Sequence, residues 1–216
     1  QTDNGAEGGF YLGISGGLAQ PVSKPVVSGA LAAGATTIPF VGAVDYGSGW
    51  NARMTIGFSD NGRSDTGGDH DVSDFRVEVE YVALRLRRAG FTAGALSTKP
   101  GDNLNLNAGL ANAQVRLVGK GPVRLWAGGG VGYARAKLPD ARKGVACSCL
   151  SPMEGSGVTY QGKVTTDFQL SSNLQLFAEW AALRVPALRS INVIGSGVAY
   201  QPHWVGTANG GARIRF

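Results

Sequence analysis

The chain consists of short runs in which apolar residues alternate with polar or small ones, the period-2 pattern of half-buried β-strands. The clearest run is DFRVEVEYVAL, where Phe75, Val77, Val79 and Tyr81 share one parity and charged residues occupy the other. Clusters of Gly, Asp, Asn, Ser and Pro separate the runs, as expected for turns. The pattern predicts an all-β protein.

Eight such runs can be traced along the chain. They are GGFYLGISGGLA, GWNARMTIGF, DFRVEVEYVAL, NLNLNAGLANAQVRLV, VRLWAGGGVGYARAK, VTYQGKVTTDFQL, NLQLFAEWAAL and HWVGTANGGARIRF. In the fourth run Leu104 and Leu106 fall in one parity and Val115 in the other, so we expect a β-bulge near Asn112. Residues 20–46, between the first two runs, are too irregular to predict a strand pair.

The connections between the runs alternate in length. Short turns join the fourth run to the fifth and the sixth to the seventh, whereas most other connections are longer. Short turns on one side and long loops on the other are typical of an up-and-down barrel. The connection between the second and third runs, about residues 59–74, is longer than this rule predicts.

Composition and length limit the class of protein. The mean hydropathy is -0.02, and no apolar run approaches the roughly 18 residues that a membrane-spanning helix needs. A helical membrane protein is therefore excluded. The 216 residues suit a single domain, 1–216, because eight strands of roughly 10 residues use less than half of them. We interpret Gln1 as the mature N-terminus left after secretory cleavage.

The last residues, GGARIRF, place Ile214 and Phe216 on one face and Arg213 and Arg215 on the other. This segment resembles the final strand of Gram-negative outer-membrane β-barrels. With ANAQVRL, GPVRLWAGGGVGYA and YQGKVTTDFQLSSNLQLFAEW, it resembles the eight-stranded family that includes the OmpA transmembrane domain, Opa and NspA-like surface-antigen barrels. The resemblance implies an eight-stranded antiparallel up-and-down barrel in the outer membrane. It also implies that Phe216 is an assembly signal for the barrel-assembly machinery.

Alternation alone also fits a soluble barrel of the lipocalin type, which carries apolar residues inside and can hold one small ligand. The terminal Phe216 and the many aromatic residues on the apolar face favour the membrane arrangement instead. Gly128, Gly130 and Gly132 share the polar parity, where they leave room for long charged side chains. We therefore expect the polar parity to face the lumen.

Ionisable residues on the polar parity are predicted to pair inside the narrow barrel, since an eight-stranded barrel is just wide enough for its own side chains. The expected network contains Arg53, Arg76, Glu78, Glu80, Arg124, Lys163, Asp167, Glu179, Arg213 and Arg215. A filled lumen is the preferred interpretation, and a proton or ion path through it is the alternative.

Basic residues follow aromatic ones on the apolar parity of three runs that point the same way. Tyr81, Tyr133 and Trp180 are expected at the outer membrane interface, where aromatic girdles lie. The basic residues just beyond them are predicted to form a collar that binds lipopolysaccharide phosphates: Arg85, Arg87, Arg135, Lys137 and Arg184. The alternative is that these residues simply begin solvated loops.

The expected function is that of a non-enzymatic surface protein, structural or adhesive, acting through its extracellular loops or by lateral association with an envelope or surface partner. The rival is a lipid-modifying enzyme sited at the rim, for which His203 near Ser196 is the candidate pair. His70 falls in a predicted periplasmic turn. We expect no catalytic residue and no cofactor.

Two cysteines, Cys147 and Cys149, lie in the loop between the fifth and sixth runs. An oxidising compartment favours a disulfide, although a ring across one residue is small and strained. An intermolecular bridge and a soft metal site are less favoured, and no metal is expected because no further ligands lie close by. The net charge of +5 comes with no nucleic-acid-binding module, so nucleic acid is not expected as a partner.

Overall fold

The computed structural model describes residues 9–33, 36–60, 75–93, 96–118, 122–140, 152–190 and 198–216. All regular structure in these ranges is β-strand. Over the same ranges no helix is long and apolar enough to cross a membrane.

The strands form one antiparallel sheet. They are β1 (Gly9–Pro21), β2 (Val26–Ala33), β3 (Thr36–Asp60), β4 (Phe75–Ala93), β5 (Leu96–Thr98), β6 (Asn103–Val118), β7 (Val123–Leu138), β8 (Met153–Gln169), β9 (Leu174–Val185), β10 (Leu188–Ser190), β11 (Val198–Tyr200) and β12 (His203–Arg215). The first strand, β1, pairs with the last, β12, and β3 pairs with β4 as well as with β1, so the pairings form a complete ring and the sheet closes into a barrel. The predicted all-β, antiparallel up-and-down barrel is confirmed.

Four of the short strands continue longer ones, so the described wall is eight strands wide. Thus β1 continues as β2, β9 as β10, β5 as β6 and β11 as β12. Each break contains proline: Pro21 and Pro25, then Pro186, Pro100 and Pro202. Proline cannot donate to the hydrogen-bond ladder, so the strands bend or pause where it occurs.

Along the barrel axis the wall has two sections. The first, called the inner section, extends from the start of β1 and the end of β12 to a ring of outward-pointing aromatic side chains that includes Tyr81, Tyr133 and Trp180. Its outward side chains are apolar, and many are more than 40% exposed, for example Val77 and Val79 on β4. Its inward side chains are polar and buried. An exposed apolar band around a closed barrel is stable only in lipid.

Beyond this ring, in the outer section, the alternation inverts. On β4 the inward positions become Val82, Leu84 and Leu86, and the outward ones become Arg85 and Arg87. The apolar interior of the outer section includes Val27, Val44, Tyr46, Val82, Leu84, Leu86, Leu104, Leu106, Leu138, Leu183, Val185, Val198 and Tyr200. The outer section is therefore built like a soluble barrel, apolar inside and polar outside.

The bulge expected near Asn112 does not occur. The register of β6 with β4 and β7 runs without a shift through that residue, and its irregularity lies between Arg116 and Val118 against β7. Leu104 and Leu106 point into the apolar interior of the outer section, whereas Val115 points outward into the lipid band. The prediction was wrong because the apolar surroundings lie inside the barrel in the outer section and outside it in the inner section. Apolar residues therefore change from one parity to the other along β6 without any break in its alternation.

The segment 20–46 is also more regular than expected. Val26–Ala33 forms a hairpin with the first part of β3, in register from Val26 opposite Ala43 to Ala33 opposite Thr36. With 25 residues, β3 is far longer than a roughly 10-residue spanning strand, because the wall continues past the membrane. Within the long connection after β3, residues 61–74 lie outside the described part.

The short turn between β8 and β9 lies at the end of the barrel that also holds Gly9 and Phe216. Leu170 and Ser171 both donate backbone hydrogen bonds to the carbonyl oxygen of Leu174 (3.0 and 3.1 Å). Short turns mark the periplasmic end of outer-membrane barrels. The outer section is therefore the extracellular end.

Candidate functional site: the lumen and the outer rim

The inward charges of the inner section form one buried network, with Lys163 at its centre. Its Nζ lies 2.5 Å from Glu78, 2.9 Å from Glu80 and 3.3 Å from Glu179. All four side chains are almost completely buried. One ammonium group thus forms ion pairs with three carboxylates, which are carried by two different strands.

Arg53, on β3, adds a second cation to the same carboxylates. Its guanidinium forms an ion pair with Glu80 and lies 3.4 Å from Glu179. It also donates hydrogen bonds to Gln161 (3.1 Å) and Thr207 (2.9 Å). These contacts join strands on opposite sides of the lumen.

Towards the periplasmic end, Asp167 binds two arginines. Arg213 Nη1 contacts one carboxylate oxygen at 2.6 Å, and Arg76 Nη1 contacts the other at 2.9 Å. Arg215 is buried on the same parity, and Arg124 is half-buried opposite Asp167 in register. All ten residues predicted for the lumen therefore lie on inward positions.

Sequence reasoning did not single out the neutral side chains that complete the network. Tyr11 donates to Glu78 (2.6 Å), Asn112 donates to Glu80 (2.8 Å), and Gln114 donates to Glu78 (2.9 Å). Trp126 packs under the Arg76 guanidinium at 4.7 Å. Each has the inward parity of its strand, which is the signal that could have identified it.

The network closes the lumen in the described part of the inner section. Nine of the ten ionisable residues predicted for the lumen are 7% exposed or less, and the tenth, Arg124, is half-buried. Side chains lining a water-filled bore would be substantially exposed. The membrane-spanning interior is therefore occupied by buried side chains, most of them paired, in keeping with the size of an eight-stranded barrel.

A separate polar cluster sits inside the outer section. Arg88 donates to both carboxylate oxygens of Asp102 (2.7 and 2.6 Å) and to the hydroxyl of Tyr200 (2.8 Å). Backbone bonds reinforce it, from Arg88 to the Asp102 carbonyl and from Gly101 to the Arg88 carbonyl. The cluster ties the break between β5 and β6 to β11.

His203 does not lie on the lipid-facing rim. Its ring is 3% exposed and stacks on Tyr46 inside the barrel, with centroids 5.4 Å apart and planes at 12°. Ser196 and His70 lie outside the described residues. A rim-sited enzyme needs its histidine within reach of lipid, and the structure places His203 facing the other way.

The five collar residues all point outward, beyond the outward side chains of Tyr81, Tyr133 and Trp180. On β7, Arg135 forms an ion pair with Glu154, and Lys137 lies 3.6 Å from the same carboxylate. The hydrogen bond from Arg135 holds the pKa of Glu154 below its usual range. On β9, Arg184 donates to the Val158 carbonyl (3.4 Å).

A recess lies beside Arg184, where β8 separates from β9 and β10. Pairing between these strands lapses between the Glu154–Arg189 and Gln161–Leu183 pairs. The recess has a volume of about 500 Å³ and is lined by Glu154, Gly155, Ser156, Gly157, Val158, Arg184, Pro186, Ala187, Arg189 and Pro202. Two arginines thus border a hollow at the height of the collar.

The remaining predicted positions are the C-terminal aromatic and the cysteines. Phe216 is 81% exposed, and its backbone N–H donates to the carbonyl of Phe10 (3.1 Å). Cys147 and Cys149 lie outside the described residues, so their disulfide stays a prediction. Among the described side chains, no group of His, Cys, Asp and Glu is spaced to hold a metal ion.

A closed antiparallel barrel with an apolar outer band and a charged, filled interior is an outer-membrane β-barrel, which places the chain in the outer membrane of a Gram-negative bacterium. Solved structures have the same fold. Neisserial surface protein A is 14% identical with a TM-score of 0.50, the alignment covering 96% of this chain and 97% of the other. The outer membrane protein OprG from Pseudomonas aeruginosa is 15% identical with a TM-score of 0.55, covering 97% of both chains.

Sequence comparison adds no relative to these structures. No family model matches the chain, and no curated protein matches it. At 14–15% identity, the similarity to these structures is one of fold, and function has to be argued from this chain's own residues.

Proposed function

We propose that this protein is a non-enzymatic surface barrel that acts by binding at its outer rim, through the lipopolysaccharide collar and its extracellular loops. The lumen carries this proposal. Its inner section is filled by the network around Lys163 and Asp167, which leaves no bore for hydrophilic solutes in the described residues. The surfaces left for a function face outward or lie at the extracellular end.

The collar matches the chemistry of lipopolysaccharide. Its five cations lie on outward positions just beyond the aromatic ring, at the height of the outer-leaflet headgroups. Guanidinium groups make charge-assisted, often bidentate bonds to phosphate oxygens. The recess beside Arg184 and Arg189 adds a concave site where a headgroup phosphate can be held from two sides.

Lipopolysaccharide retention tests the collar. We expect a variant with Arg85, Arg87, Arg135, Lys137 and Arg184 all replaced by Gln to retain several-fold less lipopolysaccharide than wild type after detergent extraction. Heat-modifiable gel mobility verifies that the barrel is folded. Vesicles with dephosphorylated lipid A provide the matched comparison, since they should bind both proteins equally weakly. Equal retention by both proteins would refute the collar.

One further feature supports a non-enzymatic role, and one supports a surface location. His203 is buried against Tyr46 rather than presented to lipid. Neisserial surface protein A, which has the same fold, is by name a surface protein. An envelope or surface protein that binds the loops is part of the proposal, and assembly through Phe216 is expected to require the barrel-assembly machinery.

Passage of small apolar molecules is a second candidate, favoured by the lapse in pairing beside Gly157, and it would require the packed apolar side chains of the outer section to move apart. Such molecules would enter from outside and leave sideways into the membrane, above the charged network. The test is uptake of the apolar dye 1-N-phenylnaphthylamine by cells. Gly157→Trp, which fills the recess, would slow uptake, whereas Gly109→Trp, on β6 with open space around it, would not. Equal rates would remove this candidate.

A further inference from the structure

The periplasmic end of the lumen contains a buried guanidinium with two N–H-bearing nitrogens that have no acceptor. Arg215, the last residue of β12, is 7% exposed. Its Nε and Nη1 atoms are buried and have no hydrogen-bond partner. A guanidinium removed from water needs both an opposite charge and acceptors for its N–H groups, and leaving it without them is strongly unfavourable.

The carboxylates of the network do not accept from these two nitrogens, because other donors occupy them. The two oxygens of Asp167 bind Arg213 and Arg76 at 2.6 and 2.9 Å. Glu78 binds Lys163 at 2.5 Å and accepts the Tyr11 hydroxyl at 2.6 Å. The two carboxylates near this end of the lumen are thus already engaged.

Another buried donor in this part of the lumen also lacks an acceptor. Gln175 sits on the neighbouring strand β9, in register with Arg213, and its amide Nε2 is buried without an acceptor. A guanidinium and a side-chain amide with unused N–H groups thus lie on inward positions of adjacent strands, and such donors are the chemistry of an anion-binding site.

We propose that the periplasmic mouth of the lumen, at Arg215, binds a small oxyanion of the phosphate class. The anion would accept the free N–H groups of Arg215 and Gln175. It would enter from the periplasm, so this site is separate from the collar at the other end of the barrel. Neutralising the collar should leave it unchanged.

Thermal unfolding of the folded protein in a non-ionic detergent tests the site, with inorganic phosphate as the probe and sodium chloride at equal ionic strength as the reference. A ligand that binds only the folded state raises the midpoint in a saturable way. We expect phosphate to raise the wild-type midpoint by a few degrees and Arg215→Gln to lose this response. Lys24→Gln, whose exposed ammonium pairs with Asp45 at the other end of the barrel and which belongs to neither the lumen nor the collar, should keep it.

The Arg215→Gln variant should fold, because it removes a buried guanidinium whose Nε and Nη1 have no acceptor, and in chloride it should be at least as stable as wild type. Arg215→Lys keeps the charge and should keep part of the response. Phosphate also stabilises proteins generally by exclusion from their surface, so the difference between wild type and Arg215→Gln is the decisive quantity. An equal shift in both, or no shift in wild type beyond that in chloride, would overturn the proposal.

Discussion

At the residue scale, the interior depends on a few ionic contacts shared among strands. Lys163 contacts three carboxylates, and Asp167 contacts two arginines. A buried ion pair adds little stability compared with an apolar core, but removing one partner leaves an uncompensated charge. Each of these residues should therefore be sensitive to substitution.

Lys163→Met provides the sharpest test of the network. It leaves Glu78, Glu80 and Glu179 close together with one cation fewer, so we expect the free energy of unfolding to fall by about 3–5 kcal/mol. Urea titration followed by tryptophan fluorescence measures it. Lys137→Met is the matched control, since that side chain is 55% exposed and should change stability little. A Lys163 variant as stable as the control would contradict the network.

Glu154→Gln tests the collar in the opposite direction from the five-fold variant. Glu154 occupies both Arg135 and Lys137, so its neutralisation frees two cations and should increase lipopolysaccharide retention. The lowered pKa of Glu154 means that its pairing is present above its ordinary pKa and is lost as the pH falls through the lowered value. The carboxylate is therefore charged at neutral pH. Reduced retention in this variant would count against the collar.

At the element scale, the proline breaks define where the wall changes character. The break between β5 and β6 contains Gly101, the one described residue with positive φ (70°), followed by Asp102, which binds Arg88. A left-handed residue there turns the chain so that Asp102 meets Arg88 inside the barrel. The turn and the buried ion pair depend on each other.

Gly101→Ala should lower the free energy of unfolding by about 1 kcal/mol, because an alanine at positive φ is strained. No atom lies within 4 Å of the position its Cβ would take, so strain is the only cost. Gly109→Ala has the same open space and no positive φ, and it should be neutral or slightly stabilising. Equal effects of the two substitutions in chemical denaturation would disprove this account of the break.

The strands could be predicted from alternation because a barrel wall has two different faces. In Phe75 to Tyr81 the lipid and the charged lumen impose opposite polarities on successive residues. In β6 the same logic failed, since Leu104 and Leu106 face an apolar interior that the sequence pattern does not distinguish from lipid. Pro186 and Pro202 interrupt adjacent strands at the same height of the barrel. That alignment depends on the register between the strands, which no local sequence pattern specifies.

At the scale of the whole molecule, two barrels of opposite polarity are stacked in one wall. The membrane-spanning section is apolar outside and charged inside, and the extracellular section is the reverse. This explains why the aromatic-then-basic order recurs on β4, β7 and β9: one outward parity passes from lipid through the interface into water. The collar residues could be predicted for this reason, whereas Trp126 and Arg88 inside the barrel were not.

A membrane barrel of this kind should be detergent-soluble and heat-modifiable. We expect the unheated protein to migrate differently from the boiled protein in a denaturing gel, because the closed hydrogen-bonded wall resists the detergent until heated. Partition into detergent measured on the same sample verifies the apolar band. A protein that stays in the aqueous phase and shows one mobility would be a soluble barrel instead.

Single-channel recording in planar bilayers tests most directly the claim that the membrane-spanning lumen is filled. The folded wild-type protein should insert without stable conductance steps of general-porin size, since Arg53, Lys163, Asp167 and their partners occupy the interior. Stable, porin-sized currents from the wild-type protein would contradict a closed lumen and, with it, a function confined to the outer surface.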